Sequence, residues 1–187
     1  MAKYSVEEIA NYFLTNVKAE KMRINPLKLM KLIYFSYAWY LSFTDEDLFE
    51  DEIQAWKHGP VVEKVYQEFK KFGLYGDISD EYFYKAELEE NDLKLSIPYI
   101  DRELIYKDLP LNNALVGTWE YYKYKSGDEL EAISHTAGSP WSVCYQKGQN
   151  KIINKDPDIR YLIKTRAKEA HTNAIKYLTD KGVIKNE

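Results

Sequence analysis

Between Asn25 and Asp45 the chain reads NPLKLMKLIYFSYAWYLSFTD, and beyond Lys31 this stretch presents apolar residues on almost every side of a helix. Asn25 is a capping residue, and Pro26 suits the first helical position, where a missing N–H costs nothing. A helix without a polar face has to be covered on several sides, so this one is expected to be the central element against which the others pack. The apolar run from Leu32 to Phe43 is shorter than the roughly 20 residues a bilayer span needs, which predicts a core helix and no membrane anchor.

The flanking sequence supplies the covering elements. Ser5 and Glu8 form a capping box, and Val6, Ile9, Phe13, Leu14 and Val17 recur at helical spacing, predicting an amphipathic helix from Val6 to Glu20. Leu48 to Trp56 loses that period and reads as a short strand or extended connector leading to a turn at His58-Gly59-Pro60. Val62, Val65, Tyr66, Phe69 and Phe72 stripe a further helix, which Gly73 stops. Tyr82, Tyr84, Ala86 and Leu88 alternate with polar residues, as do Leu93, Leu95 and Ile97, with a turn between Glu89 and Asp92, so a β-hairpin is expected over residues 80–98. Pro110 opens a helix whose Leu111, Leu115, Trp119 and Tyr122 share a face. Ser126 and Glu129 cap a short helix bearing Leu130 and Ile133, and a loop surrounds Gly138-Ser139-Pro140. A long amphipathic helix over residues 158–181 ends near Gly182. With no linker or repeat in view, the 187 residues are expected to form one mainly α (α+β) domain around the apolar helix, carrying a small β-hairpin.

The chemistry-bearing residues are sparse. A net charge of −4 argues against a protein that grips nucleic acid, which needs a concentrated positive field. Positive charge gathers between Lys147 and Lys185, and its Arg160, Lys164 and Lys168 offer the sole candidate for a DNA-reading helix. The acidic run Asp45 to Glu52 reads as a solvated or partner-facing surface. The single cysteine, Cys144, and an N-terminus without a secretory pattern point to a reducing cytoplasm. No nucleophile elbow or phosphate loop is present, and His58, His135, His171 and Cys144 lack metal-ligand spacing, so no catalytic residue, metal or cofactor is expected. One alternative stays open: His58 and His135 lie beside Trp56 and Trp141 and could converge as the acid and base of a hydrolase. Capping or core hydrogen bonding is the commoner role for such histidines, and core or interface anchoring for such tryptophans.

Three separated motifs tie these segments together. Asn25-Pro26-Leu27-Lys28-Leu29 with Lys31-Leu32-Ile33-Tyr34-Phe35, then Ala55-Trp56-Lys57-His58-Gly59-Pro60-Val61-Val62, and finally Leu130 to His135 with Ser139-Pro140-Trp141 resemble, in this order, the Panacea-domain proteins. The resemblance spans about Val6 to Ile163. It implies a mainly helical domain of bacteria and prophages, encoded beside a toxin gene and acting as the antitoxin through direct binding, without enzymatic activity. The toxins of that family include relatives of alarmone synthetases, and delivery of the toxin to an ATP-dependent protease is a second role known there. The hairpin and the tail beyond Ile163 do not match the family pattern and are where partner choice is expected to reside. Within the motifs, Asn25, Pro26, Gly59, Pro60 and Pro140 are expected to set backbone geometry. Lys28, Lys31 and Tyr34 on one helix face, with Trp56, His58, His135 and Trp141, form the candidate partner-binding patch. The competing reading places Tyr34, Trp56 and Trp141 in the core.

Overall fold

The structure, a computed structural model, describes residues 2–89 and 92–180. The expected apolar helix is α2, Pro26–Thr44. Its side-chain cap is in place, with Asn25 Oδ1 accepting from the Lys28 N–H at 2.9 Å. Residues Pro26 through Ser42 are all buried along it. Such burial requires neighbours on every side, and α2 packs against α1 (Val6–Ala19), α3 (Glu63–Phe69), α6 (Thr118–Tyr122), α7 (Gly127–Ser134), α9 (Pro157–Asp180) and the strand β2 (Gly59–Val62). The capping boxes of α1 and α7 are both formed.

Two small antiparallel sheets accompany the helices. In the first, β1 (Ile53–Trp56) pairs with β2, with Trp56 opposite Gly59 and Ile53 opposite Val62. The tight turn is therefore Lys57-His58, and Gly59 and Pro60 belong to a strand, which corrects the expected turn at His58-Gly59-Pro60. A proline is tolerated there because β2 is an edge strand, whereas β1 is covered on its other side. That cover is the segment around Ile152: the Ala55 N–H donates to the Lys151 carbonyl at 2.8 Å, and the Ile153 N–H to the Ile53 carbonyl at 2.7 Å. Upstream, Leu48 and Phe49 are buried in bends and only Ile53–Trp56 is strand.

The second sheet is the expected hairpin, β3 (Lys85–Glu89) and β4 (Asp92–Ser96), with Ala86 opposite Leu95 and Leu88 opposite Leu93. The central turn residues, Glu90 and Asn91, lie outside the described residues. The hairpin strand β4 is exposed along its whole length. The hairpin is held at its base. The Asn11 amide, buried on α1, donates to the carbonyls of Phe83 at 2.9 Å and Pro98 at 2.8 Å, and its oxygen accepts from the Phe83 N–H at 2.7 Å.

Two short helices escape sequence periodicity, α4 (Arg102–Lys107) and α8 (Pro140–Cys144). Ser139 caps α8 with Pro140 in its first turn, so the expected loop at Gly138-Ser139-Pro140 is a helix start. The helix predicted from Pro110 begins at Leu109, where Asp108 caps it. It comprises α5 (Leu109–Asn112), a π-turn at Asn113–Gly117 and α6. At Gly117 the Trp39 ring comes so close that a Cβ would lie 2.8 Å from it. The C-terminal helix α9 docks on α2 through Ile163, Ala167, Ala174 and Leu178, with His171 edge-on to Trp39 and Phe43. Its expected stop near Gly182 and the basic tail to Lys185 lie outside the described residues. No helix among the described residues is long and apolar enough to cross a membrane.

Candidate functional site

The three motifs meet around one side chain. Lys31 projects from α2 into the space between β2 and α7 and is fully buried, its ammonium donating to the Pro60 carbonyl at 3.2 Å. Desolvation pushes its pKa down to about 7, partly offset by the Glu131 carboxylate. Gly59 makes room for it. At φ +100° only glycine sits comfortably, and a Cβ there would lie 2.6 Å from both Lys31 Cε and Nζ and 2.9 Å from Ser134 Oγ.

Glu131 then joins the two histidines. His58 Nδ1, in the β1–β2 turn, lies 3.2 Å from Glu131 Oε1, and His135 Nδ1, at the C-terminus of α7, lies 3.9 Å from the same oxygen. The His135 ring stacks flat on Trp141, with centroids 3.6 Å apart, and Trp141 stacks in turn on Tyr145. The Trp141 indole N–H donates to the Trp56 carbonyl at 2.8 Å, fastening α8 to β1. Burial lowers the His135 pKa and Lys31 and His58 add to that, against the pull of Glu131. Among the described residues His135 Nε2 is buried without a hydrogen-bond partner. The Ser139 hydroxyl donates to the Ser134 carbonyl at 2.7 Å and closes the α7–α8 turn.

The patch expected on α2 is interior. Lys31 and Tyr34 are enclosed, and Lys28 is buried with its ammonium donating to the Lys123 carbonyl. Helical spacing placed these residues on one face correctly, but that face is the one α7 covers. Trp56, His58, His135 and Trp141 are half-buried. A groove beside His58 is lined by Met30, Trp56, Tyr66 and Leu74, and neither Glu131 nor His135 reaches it. Asn25, Pro26, Gly59, Pro60 and Pro140 occupy backbone-setting positions. Glu131 escaped the sequence reading, although its spacing four residues before His135 is the signal that could have found it.

Among the described residues no group of three or more His, Cys, Asp or Glu side chains is placed to hold a metal ion. The basic face of α9 is partly committed to the protein itself. Arg160 donates to Asp47, to the Tyr37 hydroxyl at 3.1 Å and to the Asn154 carbonyl at 3.0 Å, and Lys164 pairs with Asp45 at 2.7 Å, leaving Lys168 exposed.

The family described as antitoxin SocA-like, Panacea domain, matches residues 29–142. The match begins just after Asn25-Pro26 and takes in the Lys31, Gly59, Glu131 and Trp141 assembly as well as the β3–β4 hairpin. Antitoxin SocA of Caulobacter vibrioides (strain NA1000 / CB15N) is 26% identical over 140 residues, covering 72% of this chain and 67% of that protein. No solved structure matches. With more than half its length matched, this chain belongs to the antitoxin SocA-like, Panacea-domain family.

Proposed function

We propose that this chain is the antitoxin of a toxin–antitoxin pair, silencing a toxin encoded by the adjacent gene by binding it, with no catalytic step of its own. Family membership is the observation that carries the reading. The surface supports it. Leu93 is 60% and Leu95 66% exposed on one face of β4, and Tyr99 just beyond the strand is 75% exposed. Neighbouring exposed leucines of this kind are the apolar surface that a partner protein would cover in this reading. At the hairpin base a groove lined by Tyr82, Ile97, Tyr99 and Arg102 continues this surface. The toxin is proposed to dock here.

Co-expression with the neighbouring gene, scored by growth and by co-purification, tests the reading. Growth rescue with a stable complex is the expected result. Rescue with disappearance of the toxin would point to delivery to an ATP-dependent protease, and a harmless neighbour that fails to co-purify would overturn the proposal. A second reading, a hydrolase using His58 and His135, is favoured by their shared approach to Glu131. The two readings separate in the paired variant His58→Gln with His135→Gln, which retains neutralisation if binding suffices and loses it if proton transfer is needed.

A further inference from the structure

The groove beside His58 combines an apolar slot with charge of one sign. Trp56 forms one wall, edge-on to Tyr66 of α3 with ring centroids 4.8 Å apart, and Met30 and Leu74 complete the apolar lining. Its volume of about 210 Å³ falls below the roughly 300 to 1,000 Å³ of ordinary small-molecule sites and suits a single large side chain. The walls are fixed in advance. The Trp56 indole N–H donates to Gln54 Oε1 at 2.8 Å, the Trp56 carbonyl accepts from Trp141, and His58 Nδ1 is held 3.2 Å from Glu131 Oε1. A receptor whose side chains are already anchored loses little freedom on binding.

Lys57 and Lys70 line the groove together with His58, and among the described residues no carboxylate does. Lys57 is exposed and enters no ion pair among the described residues, and the Lys70 ammonium donates to a neutral partner, Gln67 Oε1, at 2.6 Å. In a chain whose 30 acidic residues outnumber its 26 basic ones, this is a local reversal of sign. An aromatic-walled slot rimmed by ammonium groups without counter-charges matches a partner of the opposite pattern, a ring set between carboxylates. We propose that the groove formed by Met30, Trp56, Tyr66 and Leu74 receives an aromatic side chain of a partner protein, carried on an acidic segment whose carboxylates pair with Lys57 and Lys70. It shares no lining residue with the groove at the hairpin base, so it is a second docking point and stands whether or not a toxin binds the hairpin.

The test follows the Trp56 indole N–H of the full chain by NMR during titration with three peptides. These are acetyl-Glu-Asp-Phe-Asp-Glu-amide, its counterpart with alanine in place of the ring, and the charge-reversed acetyl-Lys-Lys-Phe-Lys-Lys-amide. The first should shift the Trp56 signal and bind at least roughly tenfold more tightly than either of the others. Its affinity should fall several-fold between about 0.05 M and about 0.5 M salt, because exposed pairs are screened. Lys57→Glu with Lys70→Glu, two exposed changes that leave the fold intact, should cost the acidic peptide roughly tenfold and favour the basic one. Equal affinity for the acidic and basic peptides would overturn the proposal, as would a Trp56 signal that no peptide moves or an unchanged affinity in the variant. A Trp56 signal that moves with the chain's own concentration, alongside self-association in sedimentation, would overturn it in favour of a second copy. Phenylacetate binding as tightly as the acidic peptide would overturn it in favour of a small carboxylate.

Discussion

The assembly around Lys31 and the β3–β4 hairpin both lie within the family match, yet they treat their side chains in opposite ways. Around Lys31, a lysine, two histidines, a glutamate and two tryptophans from distant segments are drawn together and largely hidden, each tied to another. On the hairpin, leucines on one strand are left in water, and the base is fastened through Asn11. The residues by which the chain is recognised are thus mostly those that hold β1–β2, α7 and α8 onto α2. The surface suited to a partner is built of ordinary apolar residues with no motif. Changes in the first region should be read in stability and changes in the second in binding.

The largest effect expected is one of pH. Lys31 titrates near 7 in the folded chain against an ordinary value of 10.5, so between these the folded state has released a proton that the unfolded state keeps. Stability should therefore rise with pH from 7, and the contribution is lost as pH falls back through the folded value. Above about 10 the buried tyrosines work the other way, because their unfolded forms ionise first. Urea unfolding from pH 7 to 9.5 should show a gain on the order of 3 kcal/mol that Lys31→Met flattens. An identical slope in that variant would show that Lys31 does not titrate as its burial requires.

Gly59→Ala comes next. A left-handed φ combined with a Cβ driven against the Lys31 side chain should cost about 2–4 kcal/mol in the same assay. Asn11→Ala removes three hydrogen bonds from the hairpin base and should cost about 1–3 kcal/mol, with faster amide exchange at Phe83 as its local signature. The smallest effect belongs to the exposed strand face. Leu93→Ser with Leu95→Ser should change stability by no more than about 0.5 kcal/mol, and a larger loss would mean that the hairpin packs against the body of the protein.

Local signals in the sequence carried much of the fold. The Ser5–Glu8 and Ser126–Glu129 boxes, Pro26 at a helix start and the uninterrupted apolar character of α2 each follow from one turn of backbone, and all are found. What could not be read depended on partners far along the chain. Lys28, Lys31 and Tyr34 share a face by helical spacing, but spacing does not say that α7 covers it. Gly59 and Pro60 look like turn residues until the Lys31 side chain shows why a glycine must stand in the strand. The alternation of Leu93 and Leu95 announced a strand but not its exposure, since periodicity records which residues share a face and not what lies against it. Short helices such as α4 and α8 span too few residues for any period to emerge.

The most direct measurement is the affinity of the purified chain for the product of the neighbouring gene, by calorimetric titration, in three forms. These are the wild type, the variant Leu93→Ser with Leu95→Ser, and Tyr161→Ser, which removes an equally exposed aromatic from α9. A toxin that docks on the hairpin should bind the first variant roughly 100-fold more weakly and the α9 variant within about threefold of the wild type. Wild-type affinity in the hairpin variant would contradict the proposed docking surface.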